Sequence, residues 1–293
     1  MSNYGIEEKK DIINTLKKNG YDEVSSFLTY PKANVNNIFG PGSTKNVELE
    51  DDYINSDDFL NDINLDSGIV FVGLNYAQRV GGYDGRGFQT MHDYKKGNDA
   101  KLAASLIDLH GTPSAQTGID TIENTDSLDK SEAYGSFVFD IINKFSCTNL
   151  KGFVNSLKNL LKEKKPSLGN VSNFDMSAVP NYDYSEFAAK CTDPEHEDGK
   201  PSACPTCKAE ILNRLVDRLT KYDIPSFVYL MNLIKPKGVI CLGVESKDLV
   251  DTINKLYGLG LHVEKATHYS AQSISIANKR NSIHEAVENI LNA

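Results

Sequence analysis
SGIVFVGLNYAQRVGGYDGRG, residues 67–87, holds the strand that decides the fold: Ile69, Val70, Phe71 and Val72 run without a polar interruption into Gly73, Leu74 and Asn75. A short apolar run rich in β-branched and aromatic side chains reads as a strand buried on both faces, the kind found inside parallel sheets. We read this strand as breaking off at Gly73 into a loop led by Asn75. Asn75 is then either a turn residue, since asparagine tolerates turn geometry, or a polar group delivered to the end of a sheet.

The pattern around it alternates strands with helices. Upstream, IEEKKDIINTLKK at 6–18 puts Ile6, Ile12, Ile13 and Leu16 at helical spacing, with Asn19-Gly20 as its stop. Residues 40–66 are acidic and weakly periodic and read as a solvated arm or loosely packed edge. Downstream come a glycine-rich loop to about Gly97, a helix through Leu102, Leu106 and Leu109, and a strand in YGSFVFDII ending near Asp140. An amphipathic helix covers LKGFVNSLKNLLKEKK, and an irregular stretch runs from Pro166 to Pro201. A helical stripe follows through Ile211, Leu215, Val216 and Leu219, then a helix and a strand in PSFVYLMNLIKPKGVICLG that stops on Gly243. A helix near Lys247–Leu256, a strand near HVEKAT and a helix near SIHEAVENILN complete the pattern. It predicts a three-layer α/β/α sandwich with a central, mainly parallel sheet. Residues 1–65 form an N-terminal helical and acidic extension packed on a core domain of residues 66–293. Ligands of such sheets sit beyond the carboxyl ends of the strands, so Gly73–Ala77, Asp140–Lys144, Gly243 and His268–Ser270 are the residues to inspect.

With 40 acidic against 31 basic residues the formal charge is −9, so a nucleic-acid contact requires a local basic face. No run approaches a membrane span, and the start MSNYGIEEKKD lacks the apolar stretch of a signal peptide, so a soluble cytoplasmic protein without membrane contact is expected. Nothing in the sequence points to an obligate protein partner.

Three ordered pieces carry a family resemblance. Gly73-Leu74-Asn75 after a buried strand, LIKPKGVICLG, and Thr267-His268-Tyr269-Ser270 resemble, in order, the G-x-N-P-G loop, the I-x-P-K-x-I-V-x-L-G strand and the H-P-S motif of the uracil-DNA glycosylase superfamily. YGSFVFDIINK is similar to the strand whose end reads the base in that family. The resemblance spans residues 66–293 and implies a uracil-DNA glycosylase-like fold that hydrolyses the N-glycosidic bond of uracil or a related damaged base in single- or double-stranded DNA. No cofactor is required for that hydrolysis.

Such a reaction needs a positioned water on one side of the sugar and a donor for the departing base on the other. By resemblance Asn75 positions the water and His268 donates to the leaving base. Gly73, Leu74, Tyr76 and Asp140 contact the base, and Ser270 binds a phosphate with Lys279 and Arg280 adding charge. Ile274 or Ile276 wedges into the stack.

The chain differs from the family at Tyr76, Ala77 and Tyr269, which replace proline, glycine and proline, and at Asp140, where the family has asparagine. An ionised aspartate only accepts, whereas asparagine both donates and accepts. A second reading is therefore a catalytically altered member of the fold that binds a nucleic acid or small ligand, and a third is a nucleotide-binding enzyme of another doubly wound family. Each residue also has a structural alternative: a turn for Asn75, a satisfied histidine for His268, a cap for Asp140 and a solvated pair for Lys279-Arg280. Glycines 81, 82, 85 and 87 read as a flexible loop, because no Gly-Lys-Ser/Thr follows.

A separate cluster lies in KCTDPEHEDGKPSACPTCKAE. Cys191-x4-His196-x7-Cys204-x2-Cys207 sets four soft or borderline ligands within seventeen residues. This suits a structural zinc, the alternative being reduced, unligated thiols in a polar loop.

Overall fold
The computed structural model describes residues 4–21, 24–27, 56–65, 68–75, 135–146, 150–164, 166–168, 171–197, 203–268, 274 and 276–293, with Ser26, Asn75, Asp183, Ser185, Ile276, Ala277, Lys279 and Arg280 described by their backbone alone. A five-stranded sheet takes β1 (Ser25–Phe27), β2 (Ile69–Asn75), β3 (Phe137–Ile142), β6 (Gly238–Leu242) and β7 (His262–Ala266) in the order β1-β3-β2-β6-β7. Four of these strands are parallel, and β1 joins the β3 edge antiparallel. Burial explains the order. Ile69 to Val72 of β2 and all five residues of β6 are buried, as central parallel strands must be, while the β7 edge strand is mostly half-buried. A two-stranded ribbon pairs β4 (Phe145–Ser146) with β5 (Tyr182–Asp183) beside the sheet.

Helices cover both faces. Cys241 lies beside Ser246 of α7 (Val244–Tyr257), whereas a side chain on Gly238 would strike Ile290 of α8 (Ile276–Leu291) within 2.9 Å. Positions 238 and 241 point to opposite faces of a strand, so α7 and α8 lie on opposite sides and the architecture is an α/β sandwich. On the α7 side, α3 (Val154–Lys164) binds α7 through a 2.7 Å Lys158–Asp248 ion pair. α5 (Pro205–Arg218) continues through a π turn, Leu219–Asp223, into α6 (Ile224–Ile234), whose Phe227 packs on Phe139 of β3.

The N-terminal segment enters the same core. Helix α1 (Ile6–Lys18) buries Ile12, Ile13 and Leu16, and Lys9 donates to the carbonyls of Leu60 and Ile63. Tyr21 stacks on Tyr229 of α6 and hydrogen-bonds Ser226. Residues 57–62, read above as part of an acidic arm, form helix α2 (Asp57–Asp62) and bury Phe59 and Leu60, because Ser56 caps the helix and the acidic residues turn outward. Within the irregular stretch 166–201 the chain adds β5 and a short helix, α4 (Tyr184–Ala188). The expected helix at 102–109 and the loop glycines 81, 82, 85 and 87 lie outside the described residues.

One expectation is corrected by the register. The strand does not break off at Gly73: β2 runs to Asn75, with Gly73 opposite Asp140 and Asn75 opposite Ile142. The glycine is required by its neighbour, since a Cβ at position 73 would lie 1.9 Å from Asp140 Oδ1. Gly73 thus makes room for a carboxyl group from the adjacent strand.

Candidate functional site
The first β-strand connection places β3 on one side of β2, and the later chain places β6 on the other, so the strand order reverses at β2. In open parallel sheets the crevice for ligands lies beyond the carboxyl ends at such a switch point. Here those ends carry Asp140 over Gly73, then Gly243, then His268. Gly243 adopts φ +98°, which its missing side chain permits, and a Cβ there would sit 3.7 Å from the Cβ of His268 and 3.8 Å from Glu245 Oε2. His268, half-buried, and Glu245, in the first turn of α7, therefore flank the same backbone turn. Leu74 is half-buried against the core. Tyr76, Ser270 and Tyr269 lie outside the described residues, as do the side chains of Asn75, Lys279, Arg280 and Ile276, although Ile274 is exposed.

Among the described residues the Asp140 carboxyl has no hydrogen-bond or ion-pair partner, and burial pushes its pKa up to about 7. Ionising it costs more in the fold than in the unfolded chain, so the stability lost grows as pH rises from about 4 to about 7 and is constant above. Asp140→Asn is accordingly expected to raise the melting temperature at pH 8 and leave it unchanged at pH 3.5. A shift of equal size at both pH values in a thermal scan would show that charge is not the cause.

Behind the strand end lies a network that the sequence reading missed. The chain turns at Lys144, in left-handed conformation with φ +51°, and the Lys144 ammonium donates to the Met176 carbonyl at 3.0 Å. Arg218, at the end of α5, donates to the carbonyls of Pro180 and Asn143 and pairs with Asp223 at 3.4 Å. Asp223 accepts from the Asn143 N–H at 3.2 Å, and the Asn143 amide donates to the Asp140 carbonyl at 2.7 Å. Burial raises the Asp223 pKa, opposed by the Arg218 charge and by the Asn143 N–H. The signal in the sequence was Arg218 itself, a charge seven residues after Ile211 on an otherwise apolar stripe.

The cysteine cluster closes into one group. Cys191 Sγ lies 3.8 Å from Cys204 Sγ and 3.5 Å from Cys207 Sγ, and His196 Nδ1 lies 3.3 Å from Cys207 Sγ. All four ligand atoms fall within 4.8 Å of one another. Tetrahedral zinc, with Zn–S of ~2.3 Å and Zn–N of ~2.0 Å, spaces sulfurs by ~3.8 Å and nitrogen from sulfur by ~3.5 Å. The sulfurs are too far apart for disulfides, and the cysteines are free thiols.

Local structure explains the convergence. Cys204 is the N-cap of α5, accepting from the Cys207 N–H at 3.3 Å, with Pro205 in the first turn, so the C-x2-C pair is one turn of helix start. Asp193 reaches across to Thr206, accepting from its hydroxyl at 2.6 Å and its N–H at 3.3 Å, and this fixes the loop bearing Cys191 and His196. Burial pushes the Cys207 thiol up to about 12, with Cys204 and Cys191 adding to the rise against a hydrogen bond from Tyr184. Such a cluster of thiols favours a cation that would hold them as thiolates.

No helix among the described residues is long and apolar enough to cross a membrane. No protein-family model, curated protein or solved structure matches this chain.

Proposed function
We propose that the carboxyl edge of the sheet is a nucleobase site and that the chain hydrolyses an N-glycosidic bond in DNA, in the manner of the uracil-DNA glycosylases that its motifs resemble. The observation that carries this reading is the Asp140 carboxyl, without a hydrogen-bond or ion-pair partner among the described residues and held over Gly73 at the switch point, with His268 after β7, three strands from β3. A neutral carboxyl has one O–H donor and a free carbonyl acceptor, so it presents the same donor and acceptor pair as the family's asparagine. That pair matches the adjacent C=O and N–H of a uracil-like edge. His268 would donate to the base oxygen as the bond breaks, and Asn75 would position the water.

Release of free base from uracil- and hypoxanthine-containing oligonucleotides tests the reading. Wild-type release is expected to fall as pH rises through about 7, because the ionised Asp140 only accepts, and Asp140→Asn is expected to release base on both sides of that value. His268→Ala should lower the rate by about 10²-fold or more. No release from any oligonucleotide, or release indifferent to His268→Ala, would overturn it.

The second part of the proposal is structural. The Cys191, His196, Cys204 and Cys207 group fits zinc in its donor set and spacing, and four protein ligands leave no open position, which is the arrangement of a structural site. When bound, the metal supplies cross-linking only. It ties the 191–196 loop to the start of α5, while the chemistry stays at the sheet edge.

A further inference from the structure
α5 is tied at both ends. Its first turn carries Cys204 and Cys207, and its last turn carries Arg218. From Arg218 a continuous set of bonds reaches the candidate site: Arg218 to the Asn143 carbonyl, Asp223 to the Asn143 N–H, and the Asn143 amide to the Asp140 carbonyl. The helix between is about 20 Å long. A close-packed helix moves as a unit, because interiors transmit displacement and do not absorb it. Arg218 and Asp223 are both buried, and both bind Asn143, the residue that follows β3.

We propose that Arg218, Asp223 and Asn143 are positioning residues through which metal at the Cys3His group, acting along α5, holds Asp140 in place over Gly73. The inference rests on the metal reading given above. With the ligands Cys204 and Cys207 released from Cys191 and His196, the start of α5 loses its anchor and the grip of Arg218 on the β3 end slackens. Linkage is reciprocal, so a ligand bound at the sheet edge tightens metal retention by the same factor.

Hydrogen exchange read by mass spectrometry on the full chain, zinc-loaded and after a strong zinc chelator, tests this. Chelation is expected to speed exchange in 184–208, and also by about tenfold in 141–144 and 216–223, leaving the strands 238–242 and 262–266 unchanged. Asn143→Ala, which removes only the last bond of the series, should still bind one zinc per chain. In that variant the pH titration of the Asp140 carboxyl, followed by its ¹³C shift, should no longer move on chelation as it does in the wild type. Zinc bound at one per chain with 141–144 silent to chelation would overturn the linkage alone. Acceleration in β6 and β7 as well would overturn it by showing general support of the fold. A protein that neither carries nor takes up zinc would bring down the metal reading, and the linkage with it.

Discussion
Removing the metal with a chelator, or replacing Cys204 by serine, is expected to lower the melting temperature of the zinc-loaded protein by about 5–8 °C, the equivalent of ~3–5 kcal/mol in a chain of this size. The ion's full binding energy is not lost, because α5 has its own buried stripe through Ile211, Leu215 and Val216, and the group is not the only tie to the core. What disappears is the cross-link between the 191–196 loop and the helix start, leaving three thiols around one point after chelation and two in the serine variant. The Asp193 to Thr206 bonds still cross the junction then. Acid should act as the chelator does, since protons compete for the sulfur and imidazole ligands. Differential scanning with metal analysis checks this. Purified protein without zinc, and a melting temperature indifferent to chelator, would show the thiols to be unligated.

Arg218→Ala and Asp223→Ala are each expected to cost ~3–5 kcal/mol, because each leaves the other charge buried without its partner. Arg218 also satisfies two carbonyls, and Asp223 one N–H, so truncation strands neutral groups as well. The double variant should cost clearly less than the sum, since the second truncation removes the charge stranded by the first. Urea unfolding of the four proteins closes this cycle. Single variants within about 1 kcal/mol of wild type would mean that water reaches the pair and screens it.

How much of this was visible in the sequence depends on how far apart the interacting residues lie. The metal group was legible because its four ligands fall between 191 and 207, where spacing alone limits the geometry. The strands IVFV and GVICL were legible because burial on both faces leaves no polar residue in them. Gly73 was misread as a strand end because its reason lies in Asp140, across a strand pairing that no local pattern reports. Arg218 finds Asn143 at a separation of 75 residues, and Asn143 finds Asp223 at 80, so neither partner was visible from the other. The antiparallel β1, with only three residues, was too short to show a period.

The π turn at Leu219–Asp223 fixes an angle as well as a join. Each residue of an α-helix advances about 100° around the axis, and a π turn accommodates one residue more than regular winding does. The turn therefore sets the rotational phase between α5 and α6. With Phe227 of α6 seated on Phe139, loss of a single residue here would swing the face of α5 by roughly a quarter turn or more. Cys207 and Arg218 would leave their partners together. The two ends of α5 are thus keyed to one orientation, and the chain can lengthen or shorten its outer loops more freely than these five residues.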